Sequence, residues 1–286
     1  VEREDGGVSG RFEGRRVLIT GGARGQGRNH AVRFAREGAD VAVLDIVSGA
    51  IETVEYPLPG PEELEETAAL VEAEGGRALP LVADVRSLAQ MEAAVDRTVD
   101  AFGGIDILVV NAGICTFGEL ASMSASTWQT MLDVNLTGAF NTVRAAVPRM
   151  YGSEAGRVVA TASMAGRAGW ENIGHYAASK WGLIGMVKSL ALELAPRGIT
   201  ANVVCPSSVD TTMMKNEASY RLFRPDLENP TLEDALPAFQ SVNVIPVPYA
   251  ETDDISDAVL FLASEQARYI TGATLSAAIG VNAKNV

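Results

Sequence analysis

Short runs of β-branched and apolar residues alternate with longer amphipathic stretches along nearly the whole chain, and few folds accommodate that rhythm. The runs Arg16–Thr20, Val41–Asp45, Ala78–Val82, Ile107–Asn111, Val158–Thr161, Thr200–Val204 and Thr274–Ser276 have the length and composition of strands. Between them, Gln26–Glu37, Pro61–Glu74, Leu88–Phe102, Ser126–Met150, Tyr176–Ala195 and Thr252–Ala263 read as helices. Strand–helix–strand alternation builds a parallel sheet. Several of the strands are continuously apolar, which requires helices on both faces. Gly38 and Gly198 fall where helices should stop before the next strand. No repeat or linker-like stretch divides the chain. The expectation is one α/β domain over residues 14–286, a doubly wound (Rossmann) fold with a seven-stranded parallel sheet and helices on both faces. Residues 1–13, polar and Gly-rich, read as a loosely held tail.

Two connections are longer than such a domain needs. Residues 46–60 follow the second strand and include Tyr56-Pro57-Leu58-Pro59-Gly60. Residues 207–250 follow the sixth and carry Met213, Met214, Tyr220, Phe223, Phe239 and Tyr249. Insertions after strand C-termini lie beside the crevice where these sheets bind ligands. The second is expected to form a lid or pocket wall, and the first to lie near a cofactor.

Val17-Leu18-Ile19-Thr20 runs directly into Gly21-Gly22-Ala23-Arg24-Gly25-Gln26-Gly27, and a helix follows. Gly21, Gly25 and Gly27 permit a tight turn and close backbone approach, so amides at a helix N-terminus can meet a pyrophosphate, with Arg24 and Gln26 in the same loop. No Gly-Lys-Ser/Thr follows, which argues against a P-loop. Asp45 ends the second strand, where a carboxylate can accept from the adenosine ribose hydroxyls. It would repel a 2′-phosphate, and Ile46 supplies no cation. Arg24 is the competing signal for NADP; Asp45 outweighs it, and NAD is the expected cofactor. Asp84 and Val85, after the third strand, are placed to hold the adenine edge, although Asp84 also reads as a helix N-cap. Asn111-Ala112-Gly113, after the fourth, gives the backbone a further close approach to the cofactor.

The formal net charge of −13 speaks against a nucleic-acid binder or a polybasic membrane anchor. Its densest acidic runs, Glu62-Glu63-Leu64-Glu65-Glu66 and Glu251-Thr252-Asp253-Asp254, suit helix N-termini. No apolar run approaches a membrane span, and residues 1–14 lack a signal peptide's apolar segment. The two cysteines, Cys115 and Cys205, have no metal-binding spacing, so no metal is expected. Free thiols fit a reducing, cytoplasmic setting.

Tyr176 and Lys180 are four residues apart on one helical face, and Ser163 follows a strand 13 residues before the tyrosine. An ammonium beside a phenol favours phenolate, drawing its pKa down from about 10. Reaching roughly 7 takes about 4 kcal/mol, plausible only in a partly desolvated site with a second positive charge such as oxidised nicotinamide. Ser163 is placed to share a substrate oxygen with the tyrosine.

In their order, Thr20-Gly21-x-x-x-Gly25-x-Gly27, Asn111-Ala112-Gly113, Asn135, Ser163 and Tyr176-x-x-x-Lys180 resemble the short-chain dehydrogenase/reductase family over residues 14 to 282. Gly25-Gln26-Gly27-Arg28-Asn29-His30, Asn111 to Cys115, Tyr220 to Leu227 and the insertion before Pro61 are similar to its mycofactocin-coupled, carveol-dehydrogenase-like branch. The resemblance implies NAD held tightly, an apolar secondary alcohol of terpenoid, carveol-like type interconverted with its ketone, and electrons passed to a peptide-derived redox carrier. It makes Tyr176 the general base for alcohol oxidation, Ser163 the group that orients the alcohol oxygen, and Lys180 the tuner of Tyr176 and a ligand of the nicotinamide ribose. It has Asn135 hold a helix open and anchor a water linking Lys180 to solvent. Pro206, Val209 and Thr211 fall at cofactor positions, the last two at the nicotinamide carboxamide. A homotetramer through the helices at Ser126–Met150 and Tyr176–Ala195 is also implied. Departures from the pattern are Pro206-Ser207 for Pro-Gly, Thr161-Ala162-Ser163 for a double-serine ending, and Ala278 where an aspartate is expected. A non-catalytic dinucleotide-sensing regulator on the same fold is the rival, opposed by the intact Asn135, Ser163, Tyr176 and Lys180. A hydrolase using Ser163 and His175 lacks a G-x-S-x-G elbow, and epimerase or dehydratase relatives usually carry a longer C-terminal substrate domain.

Overall fold

The computed structural model describes residues 10–47, 51–153 and 155–284. Strands β1 (Arg16–Thr20), β2 (Asp40–Asp45), β3 (Ala78–Val82), β4 (Ile107–Val110), β5 (Arg157–Thr161), β6 (Thr200–Pro206) and β7 (Thr274–Ala277) form one sheet in the order β3-β2-β1-β4-β5-β6-β7. Every pairing is parallel, with Val17 opposite both Val41 and Ile107. The chain winds outward from β1 to β3, then returns to β4 on the other side, which leaves a crevice above the β1–β4 junction.

The helices are α1 (Gly25–Arg36), α2 (Pro61–Ala73), α3 (Leu88–Phe102), α4 (Ala125–Leu132), α5 (Gly138–Met150), α6 (Gly174–Leu194), α7 (Glu217–Phe223), α8 (Leu232–Val242) and α9 (Thr252–Ala263). Side chains alternate across each strand, so each supplies two cores. Val17, Ile19, Val41 and Val43 pack with Phe34 of α1, Leu64 and Val71 of α2, and Val259 of α9. Leu18, Ala42, Leu44 and Leu108 face the other way, onto Met91 of α3, Val147 of α5 and Val187 of α6. Each fully buried Val, Leu or Ile contributes about 1.5–3 kcal/mol, which explains why these strands tolerate no polar alternation. The acidic runs do begin helices: the Glu63 carboxylate accepts from Gly60 N–H at 2.9 Å, and that of Asp254 from Glu251 N–H at 2.8 Å.

Three expectations need correction. The tail ends earlier than residue 13, because Phe12 is 2% exposed and sits edge-on to Phe34 at 4.8 Å; residues 1–9 lie outside the described residues. The helix expected over Ser126–Met150 is interrupted by a π-helical turn at Asp133–Thr137 between α4 and α5. The insertion at 207–250 is not a plain loop, since it folds α7 and α8. Pro230 and Pro237 obscure these short helices in sequence, yet Pro237 sits inside α8. Of the insertion at 46–60, residues 48–50 lie outside the described residues, while Ile51 and Tyr56 are buried. Among the described residues, no helix is long and apolar enough to cross a membrane.

α1 and α9 join through a buried polar contact. His30, fully buried, pairs through Nδ1 with Ser256 Oγ at 2.7 Å, and Ser256 also donates to Asn29 Oδ1. Burial, helped by nearby Arg33, pushes His30 down to about 3. The unfolded chain therefore binds this proton near pH 6.5 while the folded protein refuses it. Stability from this residue is present above pH 6.5 and is lost as pH falls toward 3, by about 3 kcal/mol at pH 4.5. Urea unfolding at pH 7 and 4.5 should show a smaller loss in His30→Met than in the unsubstituted protein; equal losses would refute the assignment.

Candidate active site

A cavity of about 700 Å³ lies at the C-terminal end of the sheet, over the crevice that the winding creates. The glycine loop forms its floor. Gly21 has φ +68°, and a Cβ there would lie 2.8 Å from Ala112 Cα. A Cβ on Gly27 would lie 2.0 Å from the Gly21 carbonyl oxygen. Thr20 and Asn111 bind the loop to β4: Thr20 Oγ1 accepts from Asn111 N–H at 3.1 Å and Ala112 N–H at 3.2 Å, while Asn111 Nδ2 donates to the carbonyls of Thr20 and Gly21. Gly25 (φ +56°) begins α1, and a Cβ there would lie 3.3 Å from the methyl of Thr211, which places the second insertion beside the loop. Gln26 lines the same cavity, and its buried Oε1 has no partner among the described residues.

Asp45 stands at the rim, its carboxylate accepting from Ala23 N–H at 3.0 Å and Ile46 N–H at 2.8 Å. Burial raises its pKa, with those two bonds acting in the opposite direction. Each oxygen keeps a lone pair for a diol. Arg24 does not offer a free cation beside it. Its guanidinium donates to the Pro57 carbonyl and lies 3.6 Å from Glu63, tying the first insertion to the glycine loop. Asp84 and Val85 line the cavity, but Asp84 is not the cap of α3. Ser87 is, accepting from Gln90 N–H, because a cap must precede the first helical turn by its own residue; Asp84 instead pairs with Arg86 at 2.6 Å.

Ser163, Tyr176 and Lys180 converge on this cavity, together with Gly113, Pro206, Val209 and Thr211. Ser163 follows β5 and lines the same cavity as Tyr176. The short helical turn Met164–Gly166 fixes it, with Ser163 Oγ accepting from Ala165 N–H at 3.1 Å. Lys180 is 4% exposed, donates from Nζ to the Thr161 carbonyl at 2.9 Å, and lies 5.6 Å from the Tyr176 ring centre. The expected phenolate is not what this arrangement favours by itself. Burial raises the Tyr176 pKa above that of an ordinary phenol, Cys115 adds to this, and the Ser163 hydroxyl opposes it. Burial likewise pushes Lys180 down to about 8. A weakened ammonium engaged by a carbonyl cannot supply all the attraction that the sequence spacing suggested.

Asn135 does not line the cavity; it lies behind it, at the centre of the π-helical turn and 1% exposed. Its Oδ1 accepts from Ile114 N–H at 2.8 Å and its Nδ2 donates to the Ile114 carbonyl at 2.9 Å. The side chain thus clamps the strand β4 exit against the opened helix, and its Nδ2 also donates to Ser179 Oγ at 3.2 Å. A Cβ on Gly113 would lie 3.3 Å from Asn135 Oδ1 and 3.4 Å from Lys180 Nζ, so glycine keeps these two groups near one another.

Tyr56 was not legible as a site residue. It is buried, lines the cavity, and its hydroxyl accepts from Cys115 N–H at 3.2 Å. Only the position of its loop could have signalled it. Phe117, Val242 and Val281 were also missed, the last arriving from the C-terminal segment. Among the aromatic residues of the second insertion, Phe223 lines the cavity; Phe239 supports it edge-on at 4.6 Å, and Tyr220 and Tyr249 lie outside. Met213 and Met214 line it as expected, and Trp170 lines it with them. His175 pairs with Thr116 Oγ1 at 2.7 Å, which leaves no Ser–His pair for hydrolysis. Burial pushes the Cys115 thiol up to about 12, so it is no thiolate nucleophile. Both cysteines are free, and among the described residues no cluster of potential metal ligands forms.

A parallel sheet with this winding, a glycine-rich β1–α1 turn and a Ser–Tyr–Lys cluster define a dinucleotide-dependent oxidoreductase. The family model for short chain dehydrogenase matches residues 15–221, and the chain belongs to that family. It is 46% identical to (-)-trans-carveol dehydrogenase of Rhodococcus erythropolis, over 96% of this chain and 99% of the relative. The crystal structure of carveol dehydrogenase from Mycobacterium avium in complex with NAD superposes with a TM-score of 0.93 at 45% identity, covering 96% and 99% of the two chains. A short chain dehydrogenase from Mycobacterium paratuberculosis bound to NAD gives 0.87 at 34% identity, covering 96% and 100%.

Proposed function

We propose that this protein interconverts an apolar secondary alcohol, of the carveol-like cyclic terpenoid class, and its ketone with NAD. The observation that carries the reading is the meeting of Ser163, Tyr176 and Lys180 with the glycine loop and Asp45 on one cavity. The site fits a dinucleotide: Gly21 and Gly27 leave space that any Cβ would fill, and Gln26 Oε1 is buried without a partner. Amides of the loop and of α1 would hold the pyrophosphate, Asp45 the adenosine ribose, and Val85 the adenine edge. Lys180 would bind the nicotinamide ribose, with Pro206, Val209 and Thr211 about the carboxamide. Asp45, with Arg24 engaged by Pro57 and Glu63, supports NAD over NADP.

NAD, when bound, supplies the hydride acceptor and a positive charge beside the tyrosine. Tyr176 Oη takes the alcohol proton, and Ser163 Oγ orients the alcohol oxygen and donates to it as carbonyl character develops. Lys180 favours the deprotonated Tyr176 once a second positive charge is present. Asn135 keeps the π-helical turn open and would anchor the water that leads protons from Lys180 to solvent. The apolar walls exclude water from the reacting oxygen.

The first insertion, latched by Arg24–Pro57 and Tyr56–Cys115, supports a tightly held cofactor re-oxidised in place by a mycofactocin-type carrier. The exposed Trp128, Phe140 and Trp181 on α4, α5 and α6 support assembly as a homotetramer. Cytoplasmic residence completes this reading. Denaturing the purified protein should release NAD, and cyclic secondary alcohols should turn over with an artificial electron acceptor but poorly with added NAD. Turnover on free NAD alone would remove the carrier, and bound nucleotide with no alcohol turnover would favour a dinucleotide-sensing regulator.

A further inference from the structure

Tyr176 stands in the first turn of α6, and that turn lacks the usual anchor. Its N-cap position, Ile173, supplies no side-chain acceptor, and Asn172 before it holds φ +63°. An uncapped first turn keeps its main-chain donors unpaired and frays most readily there. A proton-transferring hydroxyl on such a turn has to be held from elsewhere.

His175 provides the hold. It is fully buried, stays off the cavity lining, and pairs through Nε2 with Thr116 Oγ1 at 2.7 Å. Thr116, 6% exposed, also stays off the lining, whereas Cys115 and Phe117 on either side belong to it. His175 and Tyr176 divide in the same way, the first turned into the protein and the second onto the cavity. Thr116 sits in a firmly tied run. Asn135 grips both main-chain groups of Ile114, Tyr56 accepts from Cys115 N–H, and Gly118 N–H donates to the Asn172 carbonyl at 2.8 Å. The start of α6 lies directly on the continuation of that run, since a Cβ on Gly174 would stand 2.5 Å from Leu120 Cδ1.

Packing alone does not account for a histidine here. His175 Nδ1 is buried without a partner among the described residues, a cost that an apolar side chain would not carry. Burial lowers the His175 pKa, so the imidazole is neutral near neutral pH and is no proton donor to the substrate. What the ring supplies is one directional bond between α6 and the β4 exit.

We infer that His175 is a positioning residue, whose bond to Thr116 fixes the first turn of α6 and thereby sets Tyr176 Oη against the substrate oxygen. This inference rests on the alcohol-oxidising reading above and adds a residue to its machinery. His175 acts through Tyr176 and makes no contact with substrate. Its effect therefore falls on the rate of the chemical step, because the apolar wall that receives the alcohol comes from Met213, Met214 and Phe223 of the second insertion.

The test follows reduction of bound NAD by carveol in a single turnover, with Tm measured on the same NAD-loaded samples. Thr116→Val should slow the saturating rate about tenfold or more, since misplacing a reacting group by about 1 Å costs up to about 10²-fold, and should leave the apparent affinity for carveol unchanged. Thr116→Ser, which keeps the hydroxyl, should restore the rate. Combining His175→Leu with Thr116→Val removes both polar partners, so the Tm lost in the single change should return while the rate stays low. A rate that recovers together with Tm would assign the pair to the fold alone and overturn the inference, as would an unchanged rate in Thr116→Val. Should Thr116→Val not fold, the double variant carries the test, and its failure to fold as well would equally mark a structural role. If the unsubstituted protein oxidises no cyclic secondary alcohol, the alcohol reading itself fails and the inference falls with it.

Discussion

Replacing Tyr176 with Phe should lower alcohol turnover by at least about 10³-fold while leaving the bound dinucleotide in place. General acid–base catalysis contributes typically 10²–10⁴-fold, and neither Cys115 nor His175 is placed to substitute. Cys115 is protonated well above neutrality and His175 is engaged by Thr116. The ring of Phe keeps the packing of the tyrosine and loses only its hydroxyl, the group that exchanges the proton. The measurement is single-turnover oxidation alongside quantification of nucleotide released on denaturation. Retained nucleotide with near-normal turnover would remove Tyr176 from the proton-transfer role. Loss of both would say instead that the hydroxyl is needed to hold the site together.

Gly27→Ala should abolish dinucleotide retention and destabilise the fold. The added Cβ would stand 2.0 Å from the Gly21 carbonyl oxygen and 2.8 Å from Asn111 Nδ2, both parts of the glycine loop's anchorage to β4. The first neighbour is backbone and the second is a side-chain amide held by the Thr20 and Gly21 carbonyls, so the loop itself must move. Overpacking of this kind costs about 1–3 kcal/mol, and a backbone clash falls at the upper end. For a chain of 286 residues that lowers Tm by roughly 5 °C. Gly185→Ala in α6 is the control. Nothing lies within 4 Å of its Cβ position and its φ is not positive, so helix propensity should make that change neutral or slightly stabilising. Equal behaviour of the two variants in thermal unfolding would refute the close-packing account.

The departures noted in sequence divide along the same physical lines. Ala278 is 5% exposed and packs into the core, so its difference from aspartate is one of packing. Ser207 changes the chemistry of the cavity wall, since its hydroxyl is buried there without a partner. Strand positions were legible to within two residues because an apolar run buried on both faces has no alternative use. The same argument fails for α7 and α8, whose short length and prolines make them helical only by packing against the cavity and each other.

Local chemistry determined the order of strands and helices, the glycine turn, Asp45, and the spacing of Ser163, Tyr176 and Lys180, because each depends on residues close in the chain. Tertiary structure alone decided that Tyr56 closes over Cys115, that Arg24 is engaged by the first insertion, and that Asn135 bonds the main chain of Ile114. It also set the charge balance at the centre of the site. Spacing suggested that Lys180 makes Tyr176 a phenolate, whereas burial raises the phenol and weakens the ammonium together. Desolvation depends on everything that surrounds a group, and a sequence records only its neighbours along the chain.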